Sequence, residues 1–155
     1  MKKLVVLIAV AAAIPAAGAA GVGPDGSSRR DAAGMEMKPV LKVRNTRFGR
    51  VLFDARDRVL YGFTRDKRGG KSTCYGGCAA AWPVYFTRSK VKALSGVKQS
   101  LIGTVRRRNG RLQVTYNGWP LYFYAHEGAR EVKCQNVDQF GGLWLVVRPN
   151  GSLVR

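Results

Sequence analysis

The sequence predicts a mainly β fold, with antiparallel hairpins in two pseudo-repeated halves and one short helix near a C-x-x-x-C segment. Three observations carry that expectation. Apolar and polar residues alternate over short runs, the pattern of strands with one buried face. Asn-Gly and other glycine-bearing turns separate those runs. The chain also repeats itself: Val59 to Asp66 (VLYGFTRD) aligns with Pro120 to Glu127 (PLYFYAHE) at an offset of 61, and Cys74 falls against Cys134 and Trp82 against Trp144 at offsets of 60 and 62. Three landmarks in register mark two copies of one supersecondary unit, about 48–87 and 111–151.

The elements follow in order. The opening MKKLVVLIAVAAAIPAAGAAGVG has Lys2 and Lys3, then an apolar stretch from Leu4 to Ile14 too short to span a bilayer core, then small residues at 17–20. It predicts a signal peptide over 1–20, cleaved near Ala19 or Ala20. No cysteine precedes Cys74, so the site lacks a lipobox cysteine. The expected location is secreted, or periplasmic and cell-envelope, with no transmembrane helix in the mature chain. Residues 21–39, rich in Gly, Ser, Ala and charge without apolar period, read as a disordered leader. Residues 40–155 fit a single β-rich domain made of the two repeats.

Val51, Phe53 and Ala55 alternate with Leu52 and Asp54, a turn follows at 55–58, and Val59, Tyr61 and Phe63 resume the alternation, which predicts a hairpin. Gly77 to Trp82 is the helical candidate, stopped by Pro83. Residues 88–100 lack periodicity and read as the connector between halves. Leu101 to Arg107 then runs as a strand into a turn at Asn109-Gly110. Leu112 to Tyr116 and Trp119 to Ala125 flank Asn117-Gly118, the strongest short hairpin signal, since both central positions of that turn need positive φ. Leu143 to Arg148 and Ser152 to Arg155, joined by Pro149-Asn150-Gly151, make a last pair.

This combination resembles the bacterial "secreted repeat of unknown function" family, described as predicted lipoproteins with a Y-x-[FWY]-x-x-D motif. Tyr61, Phe63 and Asp66 match that motif, followed by Cys74, Cys78, Ala79, Trp82 and Pro83. The second copy matches through Tyr116, Gly118, Pro120, Leu121 and Tyr122, and through Gly142, Trp144, Val146, Val147 and Gly151. Three departures stand out: there is no lipobox cysteine, the second motif (Tyr122, Tyr124) ends in Glu127, and Cys134 is additional. The resemblance implies export and no established reaction.

Twenty-seven Lys and Arg stand against nine Asp and Glu, a formal charge of +18; without Lys2 and Lys3 the count is 25 against 9, or +16. Outside the cell such a field meets anionic envelope polymers or lipid head groups. No specific nucleic acid is expected, and the sequence assigns no oligomeric state.

Several residue sets invite chemistry. In an oxidising compartment two of Cys74, Cys78 and Cys134 should pair, and three pairings are open. Cys74 with Cys78 is favoured, because the intervening Tyr75-Gly76-Gly77 permits a tight loop. A bridge to Cys134 would instead join the halves. The C-x-x-x-C spacing differs from the C-x-x-C of thioredoxin-like redox proteins, and no βαβ pattern surrounds it. A single histidine, His126, with three cysteines falls short of the donors a structural zinc needs, so no metal and no cofactor is expected. Asp66 and Glu127 read as turn caps or ion-pair partners in preference to the paired carboxylates of glycoside hydrolysis. Tyr61 and Phe63, with Tyr122 and Tyr124, lie on equivalent strand faces and are expected to form the core between the halves. The resulting expectation is an exported, non-enzymatic, basic binding or structural module. Its alternative is a thiol-redox or copper-handling protein using Cys74, Cys78 and Cys134.

Overall fold

The computed structural model describes residues 38–155. The expected signal peptide, and the expected leader up to residue 37, lie outside the described residues. Along the chain run β1 (Val40–Thr46), β2 (Gly49–Phe53), β3 (Tyr61–Phe63), α1 (Gly77–Ala81), β4 (Phe86–Thr87), β5 (Lys92–Ala93), a 3-10 turn (Gln99–Leu101), β6 (Ile102–Arg106), β7 (Leu112–Tyr116), β8 (Trp119–Pro120), β9 (Val137–Asp138) and β10 (Leu143–Val146). They form three sheets, ordered β2-β1-β5, β3-β10-β9 and β4-β7-β6, the last with β8 on β7. Every named pairing is antiparallel except β1 with β5. The chain is therefore mainly β, with one short α-helix among the described residues.

The turns sit where their chemistry requires. Asn117 and Gly118 have φ of 49° and 80°, the pair of positive values that a tight two-residue hairpin needs. Gly151, at φ +83°, closes the last hairpin, where Arg148 N–H donates to the Ser152 carbonyl (2.8 Å). Helix α1 is shorter than the Gly77–Trp82 expectation by one residue and ends as Trp82 N–H donates to the Cys78 carbonyl (2.8 Å).

The hairpin partners differ from the local expectation. The long ladder of β2 is with β1, from Lys42–Phe53 to Thr46–Gly49. Only the Phe53–Val59 bridge and the Leu60 N–H to Leu52 carbonyl bond (3.0 Å) join β2 to the next segment. The physical reason is exchange between halves. β3 leaves its own half and pairs with β10, Phe63 against Trp144. The equivalent segment of the second half pairs with the first: Val84 bridges Tyr122, and Phe123 N–H donates to the Pro83 carbonyl (2.8 Å).

The hydrogen bonds repeat with the sequence. Leu52 N–H to Val147 carbonyl (2.9 Å) corresponds to Val114 N–H to Tyr85 carbonyl (2.8 Å), and Thr64 N–H to Leu143 carbonyl to Ala125 N–H to Ala81 carbonyl (3.0 Å each). At the centre Tyr61 and Tyr122 bond reciprocally through their backbones (2.9 and 3.0 Å). Strand alternation sends Val51, Phe53, Tyr61 and Phe63 into one apolar cluster and Leu52 and Leu60 into another. Both faces of these strands are buried, so they read as continuous apolar runs.

Candidate functional site

The repeated motif builds the centre of the fold. Tyr61, fully buried, donates from its hydroxyl to Glu127 Oε1 (2.7 Å). Tyr122, equally buried, donates to Asp66 Oδ2 (2.6 Å). The tyrosine of each copy thus bonds to the acid of the other. Each acid also closes its own turn: Asp66 Oδ1 accepts the Thr73 N–H (2.7 Å) and hydroxyl (2.8 Å), and Glu127 Oε1 accepts the N–H groups of Lys133 and Cys134 (3.1 Å for Cys134). Burial, then the facing carboxylate, pushes both phenols well above their ordinary range, which keeps them protonated donors. Burial also raises Asp66 above the usual carboxylate range against the pull of Tyr122 and Thr73.

The two copies are not equal. In the first, Ser72 Oγ lies 2.5 Å from the Tyr122 hydroxyl, and buried Arg107 donates to Ser72, to Gln113 Oε1 (2.8 Å) and to the Cys74 carbonyl. In the second, Val132 and Val51 stand where the repeat places Ser72 and Gln113. There Glu127 Oε2 is buried without a hydrogen-bond partner.

Trp82 and Trp144 stack face to face, 3.9 Å between ring centres and 3° apart. Phe63 stacks on Trp144 at 4.1 Å, and Tyr124, half-buried, lies 4.8 Å from Trp82. Gln139 satisfies both indoles, its side-chain oxygen accepting from Trp82 (2.7 Å) and its carbonyl from Trp144 (3.1 Å). Pro83 contributes its carbonyl to Phe123. The structure places Tyr61, Phe63, Asp66, Trp82, Tyr122 and Trp144 in the interior and leaves Pro83, Tyr124 and Glu127 half-buried, and neither Asp66 nor Glu127 lines the grooves described below.

Cys74 and Cys78 form a disulfide with Cα atoms 5.3 Å apart. Cys134 is free and buried in the same apolar cluster. Burial first, and the Glu127 charge second, push its thiol above the ordinary value, which makes it a poor nucleophile. His126 is exposed, its ring 5.4 Å from that of Tyr124. Among the described residues no three His, Cys, Asp or Glu side chains converge as a metal would require.

A different set of residues makes the surface. Two open grooves, of about 760 and 470 Å³, adjoin through Val84, Phe86 and Arg111, which line both. Arg56, Arg58, Arg88, Arg106 and Arg111 line the larger, and Arg107, Arg108 and Arg111 the smaller. Aromatic rings hold several of these guanidinium groups: Arg58 lies 3.7 Å over Phe123, Arg111 3.5 Å over Phe86, and Arg107 and Arg108 4.1 and 4.6 Å from Tyr75. Tyr75 sits inside the disulfide-closed loop, so the bridge fixes one wall of this trench. Asp54 is its one acidic lining residue and is consumed by Arg58 (3.0 Å) and by the N–H groups of Arg56 and Arg58 (2.9 Å each). Among the described residues no carboxylate pairs with Arg56, Arg88, Arg106, Arg108 or Arg111. Sequence reasoning counted the charge and missed its focus. The signal was Arg106-Arg107-Arg108 and Arg111 flanking the Asn109-Gly110 turn.

A model of the family described as "secreted repeat of unknown function" matches residues 42–85 and 103–148, more than half of the chain. The chain belongs to this family. No curated protein and no solved structure matches it. The two matched spans of this secreted repeat take in most of β1 and most of β6, strands that carry none of the tyrosine, cysteine or tryptophan landmarks. No helix of the described residues is long and apolar enough to cross a membrane.

Proposed function

We propose that this secreted-repeat protein is a non-enzymatic binding module of the cell envelope or extracellular space, and that its ligand is an anionic envelope polymer. The trench carries the reading. It gathers Arg56, Arg88, Arg106, Arg108 and Arg111, which no carboxylate among the described residues pairs, on a chain whose residues 38–155 hold 23 Lys and Arg against 6 Asp and Glu, or +17. Five of those six acids, Asp54, Asp57, Asp66, Glu127 and Glu131, are already paired or held in hydrogen bonds, so little internal charge competes for a ligand. An open trench suits an internal segment of a polymer, whereas an enclosed cavity suits a small molecule.

Binding of the full chain to anionic polymers at about 150 mM ionic strength tests this reading, because diffuse attraction is largely screened there. Saturable binding is expected, and substituting Arg56, Arg88 and Arg111 by alanine is expected to weaken it by about tenfold or more, the size of one lost charge-assisted hydrogen bond. Replacing Lys67, Lys71 and Lys98, which lie outside the trench, removes the same charge and serves as the control. Equal losses in both triple variants would reduce the interaction to net charge and defeat the proposal.

A further inference from the structure

We infer that the trench takes a linear, ring-free phosphodiester polymer, such as a polyol phosphate; this rests on the polyanion reading above and narrows it. The aromatic residues of the trench are the decisive feature. Sugar polymers and single-stranded nucleic acids are commonly held by stacking rings on exposed aromatic faces. Here those faces are taken: Phe123 by Arg58, Phe86 by Arg111, and Tyr75 by Arg107 and Arg108. Tyr85, the remaining aromatic residue lining the trench, is buried with its ring against that of Phe123. Arg58 directs its N–H groups to Asp54, and buried Arg107 directs its own to Ser72, Gln113 and the Cys74 carbonyl. What the trench offers a ligand is the N–H edges of Arg56, Arg88, Arg106, Arg108 and Arg111, and such edges read oxyanions.

The identity and placement of the cations point the same way. All the basic residues lining the two grooves are arginine, although lysines occur at exposed positions elsewhere, including Lys67, Lys71 and Lys98. Arg56 and Arg58 come from the turn after β2, Arg88 follows β4, and Arg106 and Arg111 flank the turn between β6 and β7. Guanidinium groups thus approach from separate segments. A tetrahedral phosphodiester accepts donors from several directions, while a planar carboxylate accepts within one plane. A ring-free backbone lets successive phosphates follow the trench without needing a stacking surface.

The test measures binding of the full chain at about 150 mM ionic strength to four probes of matched charge number: poly(glycerol phosphate), poly-L-glutamate, polygalacturonate and oligo-dT. Poly(glycerol phosphate) is expected to bind about tenfold or more tightly than the other three, a difference one lost bidentate contact accounts for. The charge-conserving Arg111→Lys and Arg56→Lys variants are expected to lose that preference while keeping the thermal midpoint of the parent, since both residues are exposed. Equal or tighter binding of the carboxylate polymers or of oligo-dT would overturn the ligand class and leave the polyanion reading standing. Binding to none of the probes that responds to Arg56 or Arg111 would overturn both.

Discussion

Tyr122 holds the most demanding position among single residues. Its hydroxyl is buried between Asp66 and Ser72, and deleting it leaves Asp66 Oδ2 unpaired in the interior and Ser72 held by Arg107 alone. Tyr122→Phe is expected to cost about 1–3 kcal/mol in urea unfolding, the penalty for stranding buried polar groups; a loss below about 0.3 kcal/mol would contradict the role given to the hydroxyl. Asp57 makes a prediction in pH. Arg44 first, then Lys42 and Arg130, bond to its carboxylate and hold its pKa far below the ordinary value. A depressed carboxyl contributes stability that is present above its unfolded pKa and is lost as pH falls through its folded one. The Asp57 carboxyl carbon should therefore still report the ionised form at about pH 3, below the reference midpoint of about 3.9. Arg44→Ala should move the midpoint up toward that reference, and an unmoved midpoint would contradict the pairing.

At the scale of elements, the disulfide loop couples the fold to the trench. Its short span limits its contribution to about 2 kcal/mol in the chain-entropy account. Replacing Cys74 and Cys78 together by serine is expected to lower stability by about that amount and to weaken polymer binding, because Tyr75 would no longer be fixed beneath Arg107 and Arg108. Retention of full affinity would show that the loop does not shape the trench. In the native chain, thiol titration should find one reactive group only after unfolding, as Cys134 is buried and free. Gly151 is a second fixed point: at φ +83°, a Cβ there would collide with the Asn117 side chain, so Gly151→Ala should destabilise by more than about 1 kcal/mol.

For the whole molecule, exchange between the halves governs behaviour. Because β3 pairs with β10, β4 with β7, and the Tyr122–Phe123 segment bonds to residues 83–84, two of the three sheets need strands from both halves. Fragments 38–98 and 99–155 should each be unfolded separately and should recover β structure on mixing; cooperative unfolding of either fragment by itself would contradict the exchange. Much of this was legible in the sequence. Period-two alternation located β7, the Pro149-Asn150-Gly151 turn located β10, Asn117-Gly118 announced its own turn, and the L-Y-x-aromatic-x-x-acid repeat marked the residues that meet at the centre. The partners were not legible, because alternation specifies which face is buried and says nothing of which strand lies alongside. β1 escaped notice since fully buried Leu41 stands among half-buried residues that mix apolar Val40 and Val43 with Lys42 and Arg44, which pair with Asp57. The trench was hidden for a related reason: its arginines come from separated segments that only the fold brings together.

The central claim is that those arginines form one binding surface. Backbone amide shift mapping of the full chain with poly(glycerol phosphate) at about 150 mM ionic strength tests it most directly. The account predicts saturable shifts concentrated at residues 54–58, 84–89 and 106–112, which line the trench. Shifts spread evenly over the basic surface, including 65–71 and 90–98, or no shifts at all, would contradict it.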